Sequence, residues 1–322
     1  MDAVARITPT PEPGERLVLR HRLPDGSATD VLGVLVSAEE NLIIVRTRDD
    51  RVVEVDRAAV ILAKRVPSIS RGPDPLRVPA EELEQAAVHG WIAYAERLGA
   101  WWLRAGGGFT GRANSCLAVG DPGVPFDQAA RRVVDFAAEH GIAPQVQVID
   151  GSAPERRFRE LGWADTYLPT DVMVQRLSDL GTRPADPRVM VEEQLTDAWW
   201  QAYHAYRPSD VDPDLLRTML TGHPPYGLAG IAHGDRLIAS GRGQISQDWL
   251  GIAALWTDPD HRRQGLATEV LIGLVHWAGA KGARSAYLQV AQENTDAHQA
   301  YQRLGFQLHH TYRYLRPTPT TH

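Results

Sequence analysis

Residues 262 to 268 have the types and order of an anion-binding loop. They follow the apolar run 252–256 and the acidic turn 257–260, and they precede apolar residues at helical spacing, which predicts strand, turn and helix in that order. The first amides of a helix have no partner within it, and the helix dipole adds partial positive charge there. Glycine permits close approach of a ligand to the backbone, and arginine supplies charge for phosphate. The sequence therefore predicts a diphosphate-binding loop rather than a merely solvated helix start, formed by Arg262, Arg263, Gln264, Gly265, Leu266, Ala267 and Thr268.

A second pattern begins about thirty residues later. Residues 286–290 alternate in polarity as in a half-buried strand. Asn294 can then cap a short helix that Gly305 can end. Helical spacing places Ala297 and Tyr301 on one face of that helix. The second pattern thus predicts a strand followed by a helix that carries a phenol.

The two patterns together resemble the GNAT superfamily of acetyl-CoA-dependent N-acetyltransferases, over about residues 188–315. The residues that carry the resemblance are Arg-x-x-Gly-x-Ala after a strand and, further on, Asn-x-x-Ala-x-x-x-Tyr-x-x-x-Gly-Phe. The resemblance implies that the 262–268 loop binds the diphosphate of coenzyme A. It implies that Asn294 and Ala297 lie by the pantetheine and that Tyr301 is the general acid that protonates the departing thiolate.

In this superfamily the strand before the loop separates from its neighbour at a bulge. The resemblance therefore implies free backbone groups at Leu255, Trp256 and Thr257 that hold the thioester, where an N–H could stabilise the developing oxyanion. Transfer also needs a base, because an amine with a pKa of about 10 is protonated at neutral pH. The sequence leaves the base open between Glu293, Asp248, His261 and a water relay.

The acceptor pocket is expected at the start of the C-terminal domain. We expect Arg242 to contact an acidic group, since it lies on the strand that should face the groove. Aromatic side chains could form the walls, or could simply be core; they are Trp199, Trp200, Tyr203, Tyr206 and Tyr226. The acceptor is expected to be a small-molecule amine or a peptide or protein amine.

Composition limits the other classes of function. The chain of 322 residues is 43% hydrophobic and 23% charged with a net charge of −6, so it has no overall basic footprint for nucleic acid. Its single cysteine excludes an internal disulfide framework, and no apolar run reaches the length of a membrane span. The histidines show no metal-ligand spacing, so we expect no metal. We expect a cytoplasmic protein, monomer or homodimer.

Strand and helix patterns predict the domain organisation. Residues 1–66 read as five short strands and resemble an SH3-like barrel, and proline-rich residues 67–79 read as a linker. Residues 80–180 echo residues 181–322 in the order of their elements, which indicates an internal repeat. The first copy carries Gly-Asp-Pro-Gly-Val-Pro where the arginine-rich loop should be, so we interpret it as a degenerate GNAT-like half. Within it, residues 81–98 read as one helix.

The sequence thus predicts an α/β (α+β) protein with two GNAT-like mixed-sheet halves behind a small all-β barrel. The expected function is acetyl transfer from acetyl-CoA to a primary amine by direct attack in a ternary complex. Two alternatives remain: a mycothiol-synthase-like acetyltransferase that acts on an amino-sugar conjugate, and a non-catalytic acyl-CoA sensor. The barrel counts against the first, and an intact Tyr301 counts against the second.

Overall fold

The computed structural model describes Val4 and residues 11–47, 51–66 and 72–318. The chain divides into two compact units, Met1–Ser70 and Arg71–His322. The first unit confirms the five predicted strands: β1 Arg16–Arg22, β2 Ala28–Ala38, β3 Leu42–Thr47, β4 Val52–Asp56 and β5 Val60–Arg65. They form one antiparallel sheet in the order β4-β3-β2-β1-β5. Its alternating buried residues, such as Leu17, Leu19, Ile43 and Val45, form a small separate core. The predicted turn at residues 49–50 lies outside the described residues.

The second unit contains two runs of elements that share a central order of three strands, helix, strand, helix and strand. The first run is α1 Ala80–Ala87, β6 Tyr94–Leu98, β7 Trp101–Ala105, β8 Cys116–Leu117, α2 Phe126–Glu139, β9 Val146–Ile149, α3 Ala153–Glu160, β10 Trp163–Asp165, β11 Thr170–Arg176 and α4 Leu177–Leu180. The second run is β12 Val189–Glu192, α5 Asp197–Tyr206, α6 Pro213–Thr221, β13 Tyr226–His233, β14 Arg236–Ser246, β15 Trp249–Thr257, α7 Leu266–Ala280, β16 Ser285–Ala291, α8 Thr295–Arg303 and β17 Gln307–Pro317. The shared order is β6 to β10 in the first run and β13 to β17 in the second.

One continuous sheet joins the two runs, in the order β12-β13-β14-β15-β16-β11-β17-β9-β8-β7-β6, with β10 paired to β17. Each run contains a parallel pair, β8 with β9 and β15 with β16. The last strands are exchanged: β11 of the first run lies between β16 and β17, and β17 of the second run pairs with β9. Each half of the sheet is therefore completed by a strand from the other run.

The helices cover the sheet with their apolar faces. In α7 the buried residues include Val270, Leu271 and Leu274, and the helix packs on β13, β14 and β15. In α2, Val133 and Phe136 are buried against the first run of strands, in a core that also contains Cys116. None of the helices in the described part of the chain is long and apolar enough to cross a membrane.

Residues 67–98 differ in part from the linker and helix predicted for them. The helix predicted over 81–98 is wrong in its second half, because α1 ends at Ala87, a short 3-10 segment covers Val88–Trp91, and Tyr94–Leu98 is strand β6. Gly99, at φ +56°, allows a two-residue turn that pairs β6 with β7, and this pairing overrides local helix propensity. Of the predicted linker, residues 67–71 lie outside the described part, and residues 73–74 are held by Arg176 of β11.

Candidate active site

Strands β15 and β16 separate at the centre of the sheet. They pair in parallel from Trp249 to Ile252, and no pairing continues from Ala253 onward. A bulge lies at the same point, because Ala253 pairs with Arg242 while Trp256 pairs with Ser240 of β14. Ala254, inside the bulge, has a φ of 53°, which is uncommon for a residue other than glycine. The edge of β15 that faces β16 thus carries backbone groups without a strand partner among the described residues.

The loop after β15 ends in a helix start without a side-chain cap. Gly265 precedes α7 with a φ of 78°, and Arg263 has a φ of 61°. The carbonyl of Gly265 accepts from the amides of Thr268 (2.9 Å) and Glu269 (3.1 Å), whereas the amides of Leu266 and Ala267 have no partner in the part of the chain that the structure describes. Residues 262–265 are exposed. Open amides at the positive end of a fifteen-residue helix are the physical requirement for binding an anion.

A cavity of about 880 Å³ connects the separated end of β15 with this helix start. One side is formed by α5 and the other by the predicted residues Leu255, Trp256, Thr257, Arg262 and Ala267. Arg263, Gln264, Gly265 and Thr268 continue the same loop and first turn outside the lining. The cavity is large enough for an extended ligand whose anionic part lies at the start of α7.

A second cavity, of about 250 Å³, fills the gap between β15 and β16. Asn294, Ala297 and Tyr301 all line it, as α8 lies over the gap. The side chain of Asn294 caps α8 by accepting from the amide of Ala297 at 3.2 Å. Tyr206 and Leu255 line both cavities, so the two spaces share walls.

Tyr301 is partly buried in the smaller cavity. Burial, together with the neighbouring hydroxyl of Tyr206, raises the pKa of Tyr301 to about 12. The phenol is therefore protonated at neutral pH and can donate a proton, although it is a weaker acid than a free tyrosine. Tyr203 also lines this cavity, and burial raises its pKa to about 12.

The three candidate bases do not line either cavity. The carbonyl of Asp248 accepts from Arg284 and Ser285 at the paired end of β15, far along the strand from the gap. His261 is held by the Asp258 carboxylate at 3.2 Å in the turn before the loop, and Glu293 is exposed. Among the described residues, the smaller cavity is lined by phenols and guanidinium groups and by no carboxylate or imidazole. Of the alternatives considered, this arrangement favours the water relay.

The aromatic residues predicted for the acceptor pocket divide into two groups. Tyr203 and Tyr206 line the smaller cavity, whereas Trp199 is buried, stacks on Tyr203 at 5.3 Å and donates to the carbonyl of Ala229. Trp200 and Tyr226 pack at the edge of the same core. These side chains turn inward because α5 must cover β14.

Arg242 lines neither cavity and pairs with no carboxylate in the described part of the chain. Its side chain is buried and donates to two backbone carbonyls, those of Leu220 (2.8 Å) and Gly90 (2.9 Å), instead of an acidic group. Side chains alternate along β14, and the face that carries Arg242 meets Leu220 of α6 and Gly90 of the 3-10 segment before β6.

Two side chains of the smaller cavity come from the first run of elements and were missed by sequence reasoning. Trp91 ends the 3-10 segment Val88–Trp91, and Arg112 lies in the 3-10 turn Gly111–Ala113. Arg112 donates from Nη1 to Oε1 of Gln289 on β16 at 2.8 Å. A contact over 177 residues has no local signal, so only the fold could show it.

The separated parallel strands, the bulge, the uncapped helix start and the tyrosine on α8 together define an acetyltransferase of the GNAT type. The chain belongs to the family described as "Probable histone acetyltransferase Rv0428c C-terminal", whose sequence model matches residues 80–315. A second model, the "Rv0428c N-terminal Sm-like domain", matches residues 11–64, in agreement with the predicted small β-barrel.

Relatives agree with this assignment, and solved structures share the fold. The chain is 27% identical over 319 residues to the "Probable histone acetyltransferase Rv0428c" of Mycobacterium tuberculosis, covering 94% of both chains. It is 28% identical over 255 residues to the "Uncharacterized N-acetyltransferase YobR" of Bacillus subtilis, covering 73% of this chain and 98% of that one. Among solved structures, a GCN5-related N-acetyltransferase from Kribbella flavida has a TM-score of 0.54 at 17% identity, covering 76% of this chain and 98% of its own. A tandem GNAT protein from the clavulanic acid biosynthesis pathway has a TM-score of 0.50 at 12% identity, covering 76% and 89%.

Proposed function

We propose that this protein transfers the acetyl group of acetyl-CoA to a primary amine by direct attack in a ternary complex. The observation that carries the proposal is the gap between β15 and β16 beyond Ile252, which joins an anion-binding helix start to a cavity lined by a protonated phenol. When bound, acetyl-CoA would supply a thioester carbonyl as electrophile and a thiolate as leaving group.

The residues present fit coenzyme A. The amides of Leu266 and Ala267, with the guanidinium of Arg262, would hold the diphosphate. The unpaired edge of β15 at Leu255, Trp256 and Thr257 would hold the pantetheine and present a backbone N–H to the carbonyl oxygen. Asn294 and Ala297 would form the opposite wall.

In the proposed step a new N–C bond forms as the C–S bond breaks. Tyr301 donates its proton to the departing sulfur, and water takes the proton lost by the amine. A thiol has a pKa of about 8.5, which is below the pKa of this phenol, so proton transfer from the phenol to the thiolate is unfavourable in free energy. The hydroxyl therefore has to be aligned with the sulfur.

The chain's one cysteine supports direct attack over an acetyl-enzyme. Cys116 is buried in the core of the first run, lines neither cavity, and burial raises the pKa of its thiol to about 12. A thiol in that position is neither ionised nor accessible to the thioester.

We further propose one coenzyme A site per chain. In the first run the loop before α2 carries Asp121, whose carboxylate already accepts from the amide of Gly123 at 2.8 Å. Phe158 stands four residues before Gly162, as Tyr301 stands four residues before Gly305, and it is fully buried. The first copy thus has an acidic loop and no phenol at the corresponding position.

The test is to incubate the full-length protein with acetyl-CoA and a panel of primary amines, including a lysine peptide because one relative is named a probable histone acetyltransferase. We expect equal amounts of free thiol and N-acetylated product. Thiol release with no acetylated amine, or an isolable acetyl-enzyme, would contradict the proposal. Tight binding without any transfer would favour the sensor alternative.

A further inference from the structure

The smaller cavity is positively charged. Arg112 and Arg207 line it, and none of its lining residues is aspartate or glutamate. Arg112 is partly buried, and its hydrogen bond among the described residues is to the neutral amide of Gln289. No ion pair joins Arg112 to a carboxylate within the described ranges.

A second guanidinium increases this charge. Arg112 and Arg242 both lie against the ring of Trp91, at 5.6 and 5.4 Å from its centroid. Arg242 is buried and bonded only to carbonyls, and its Nη2 has no partner in the described part of the chain. Burial lowers the pKa of Arg242 to about 10, so it is still charged at neutral pH.

The acidic side chain that shares an adjoining space with Arg112 is already engaged. Glu84 lies beside Arg112 in the adjoining interior, where it accepts from Nε2 of His310 at 2.9 Å and from Nε2 of Gln147 at 2.6 Å. Buried charges in proteins are ordinarily paired because an unpaired one is costly. Arg112, which lines the cavity and has a neutral partner, therefore leaves a place for an anion.

The loop that carries Arg112 is fixed in place. Asn114 accepts from the amides of Gly106 (2.8 Å) and Gly108 (2.9 Å) and donates to the carbonyl of Thr110 (2.8 Å). The side chain of Arg112 is thus held before any ligand arrives, which lowers the entropic cost of binding one.

We propose that the accepting amine carries a carboxylate, which Arg112 binds at the wall of the smaller cavity formed by Trp91 and Gln289. In this arrangement the pantetheine lies along Asn294 and Ala297, and the amino group meets the thioester. This inference deepens the proposed acetyl transfer and rests on it. A planar guanidinium binds a carboxylate through two parallel N–H···O bonds, which gives both affinity and orientation. The degenerate first half of the chain would thereby determine the acceptor of the second.

The experiment compares amines that differ only in the carboxylate. The acceptors are glycine, β-alanine, γ-aminobutyrate and δ-aminovalerate, each beside its primary amide, together with a basic lysine peptide. We expect the amino acid of the right length to have a higher kcat/KM than its amide. Arg112→Gln should lower that value about 10- to 150-fold through KM, the range for a lost hydrogen bond to a charged group, and should change the amide less than about threefold. Arg112→Lys should recover part of the loss.

A second variant tests the same point without removing the arginine. Gln289→Glu places a carboxylate of the same shape beside Nη1 of Arg112, and it should compete with the acceptor's carboxylate. We expect the same selective loss. Arg132→Gln is the matched control, because Arg132 is bonded to Glu96 of β6 and Glu139 of α2 and lines neither cavity. This variant should change kcat/KM for neither the amino acid nor its amide.

A binding arm separates this inference from the proposed function. Calorimetry on the protein saturated with coenzyme A should show that the preferred amino acid binds in wild type and not in Arg112→Gln. If this binding occurs without transfer, the acetyl-transfer proposal fails and the anion site stands. Equal losses for acid and amide, a preference for the amide or the basic peptide, or no Arg112-dependent binding would each overturn the inference.

Discussion

Gly265 and Gly282 lie at opposite ends of α7 and form a matched pair for testing the diphosphate site. Both have positive φ, 78° and 98°, and a Cβ added at either would meet nothing within 4 Å. Gly265→Glu and Gly282→Glu should therefore each destabilise the fold by a similar amount, about 1–2 kcal/mol for a side chain in the left-handed region. Only the first places a carboxylate at the start of the helix, where we expect the diphosphate.

The expected effect on binding follows from two contributions. A glutamate about 4 Å from a doubly charged diphosphate in water adds roughly 2 kcal/mol of repulsion. Displacing the ligand from one or two of the amides of Leu266 and Ala267 costs about 1.5–3 kcal/mol for each hydrogen bond to a charged group. Gly265→Glu should therefore weaken acetyl-CoA binding about 300-fold or more, because the two contributions sum to at least about 3.5 kcal/mol and each 1.4 kcal/mol is a factor of ten.

Isothermal titration of acetyl-CoA into both variants measures this difference, and thermal unfolding provides the stability comparison. Gly282→Glu should bind within about threefold of wild type, because its carboxylate lies at the far end of a fifteen-residue helix and is screened by salt. If the two variants bind acetyl-CoA with similar affinity, the loop at residues 262–268 does not hold the diphosphate.

Three further predictions concern the acid, its pH dependence and the number of sites. Tyr301→Phe should lower the single-turnover transfer rate about a hundredfold or more with little change in acetyl-CoA affinity. Tyr167→Phe, at an exposed position, is the control and should change neither quantity. An unchanged rate in Tyr301→Phe would leave that ring only a packing role. Because burial raises the pKa of Tyr301 to about 12, the acid form persists above its ordinary value of 10, so kcat should show no alkaline loss below about pH 10, and a Tyr301-dependent fall near pH 8 would refute the argument. Calorimetry should give one coenzyme A site per chain, and two equivalent sites would contradict this expectation. A fragment of residues 72–322 should bind coenzyme A within about threefold of the full chain, because every residue lining the two cavities belongs to the second compact unit. Weak binding by a well-folded fragment would contradict the second expectation.

Sequence reasoning succeeded where the determinants are local. Gly265 and Asn294 mark helix starts through their own backbone or side-chain properties, and α7 and α8 begin next to them. The strand before each helix was predicted because apolar runs and alternation are also short-range patterns. The bulge at residues 254–255 was expected through the family resemblance, since Ala254 itself carries no signal for a left-handed conformation.

The failures depend on contacts that local periodicity does not encode, with the neighbouring strand for residues 94–98 and with distant residues for the other two. Residues 94–98 have a helix-compatible composition, and only their pairing with β7 makes them a strand. The buried position of Arg242 depends on α6 and on Gly90, which lies 152 residues away. The contribution of Arg112 to the second cavity depends on which strands meet in the sheet, and no periodicity in the sequence encodes that.

The strand exchange explains why a degenerate half can remain indispensable. Because β11 pairs with both β16 and β17, removing residues 80–180 would leave β16, the strand under Tyr301 and Asn294, with an open edge. An unpaired buried edge exposes a row of amides and carbonyls and costs stability. A first half without a coenzyme A site, as we propose, would still build the site of the second half through its strands and the loop that carries Arg112. On this argument, substitutions in β11 that break its pairing should abolish coenzyme A binding at a site they do not touch, and hydrogen exchange of β16 should report the same opening.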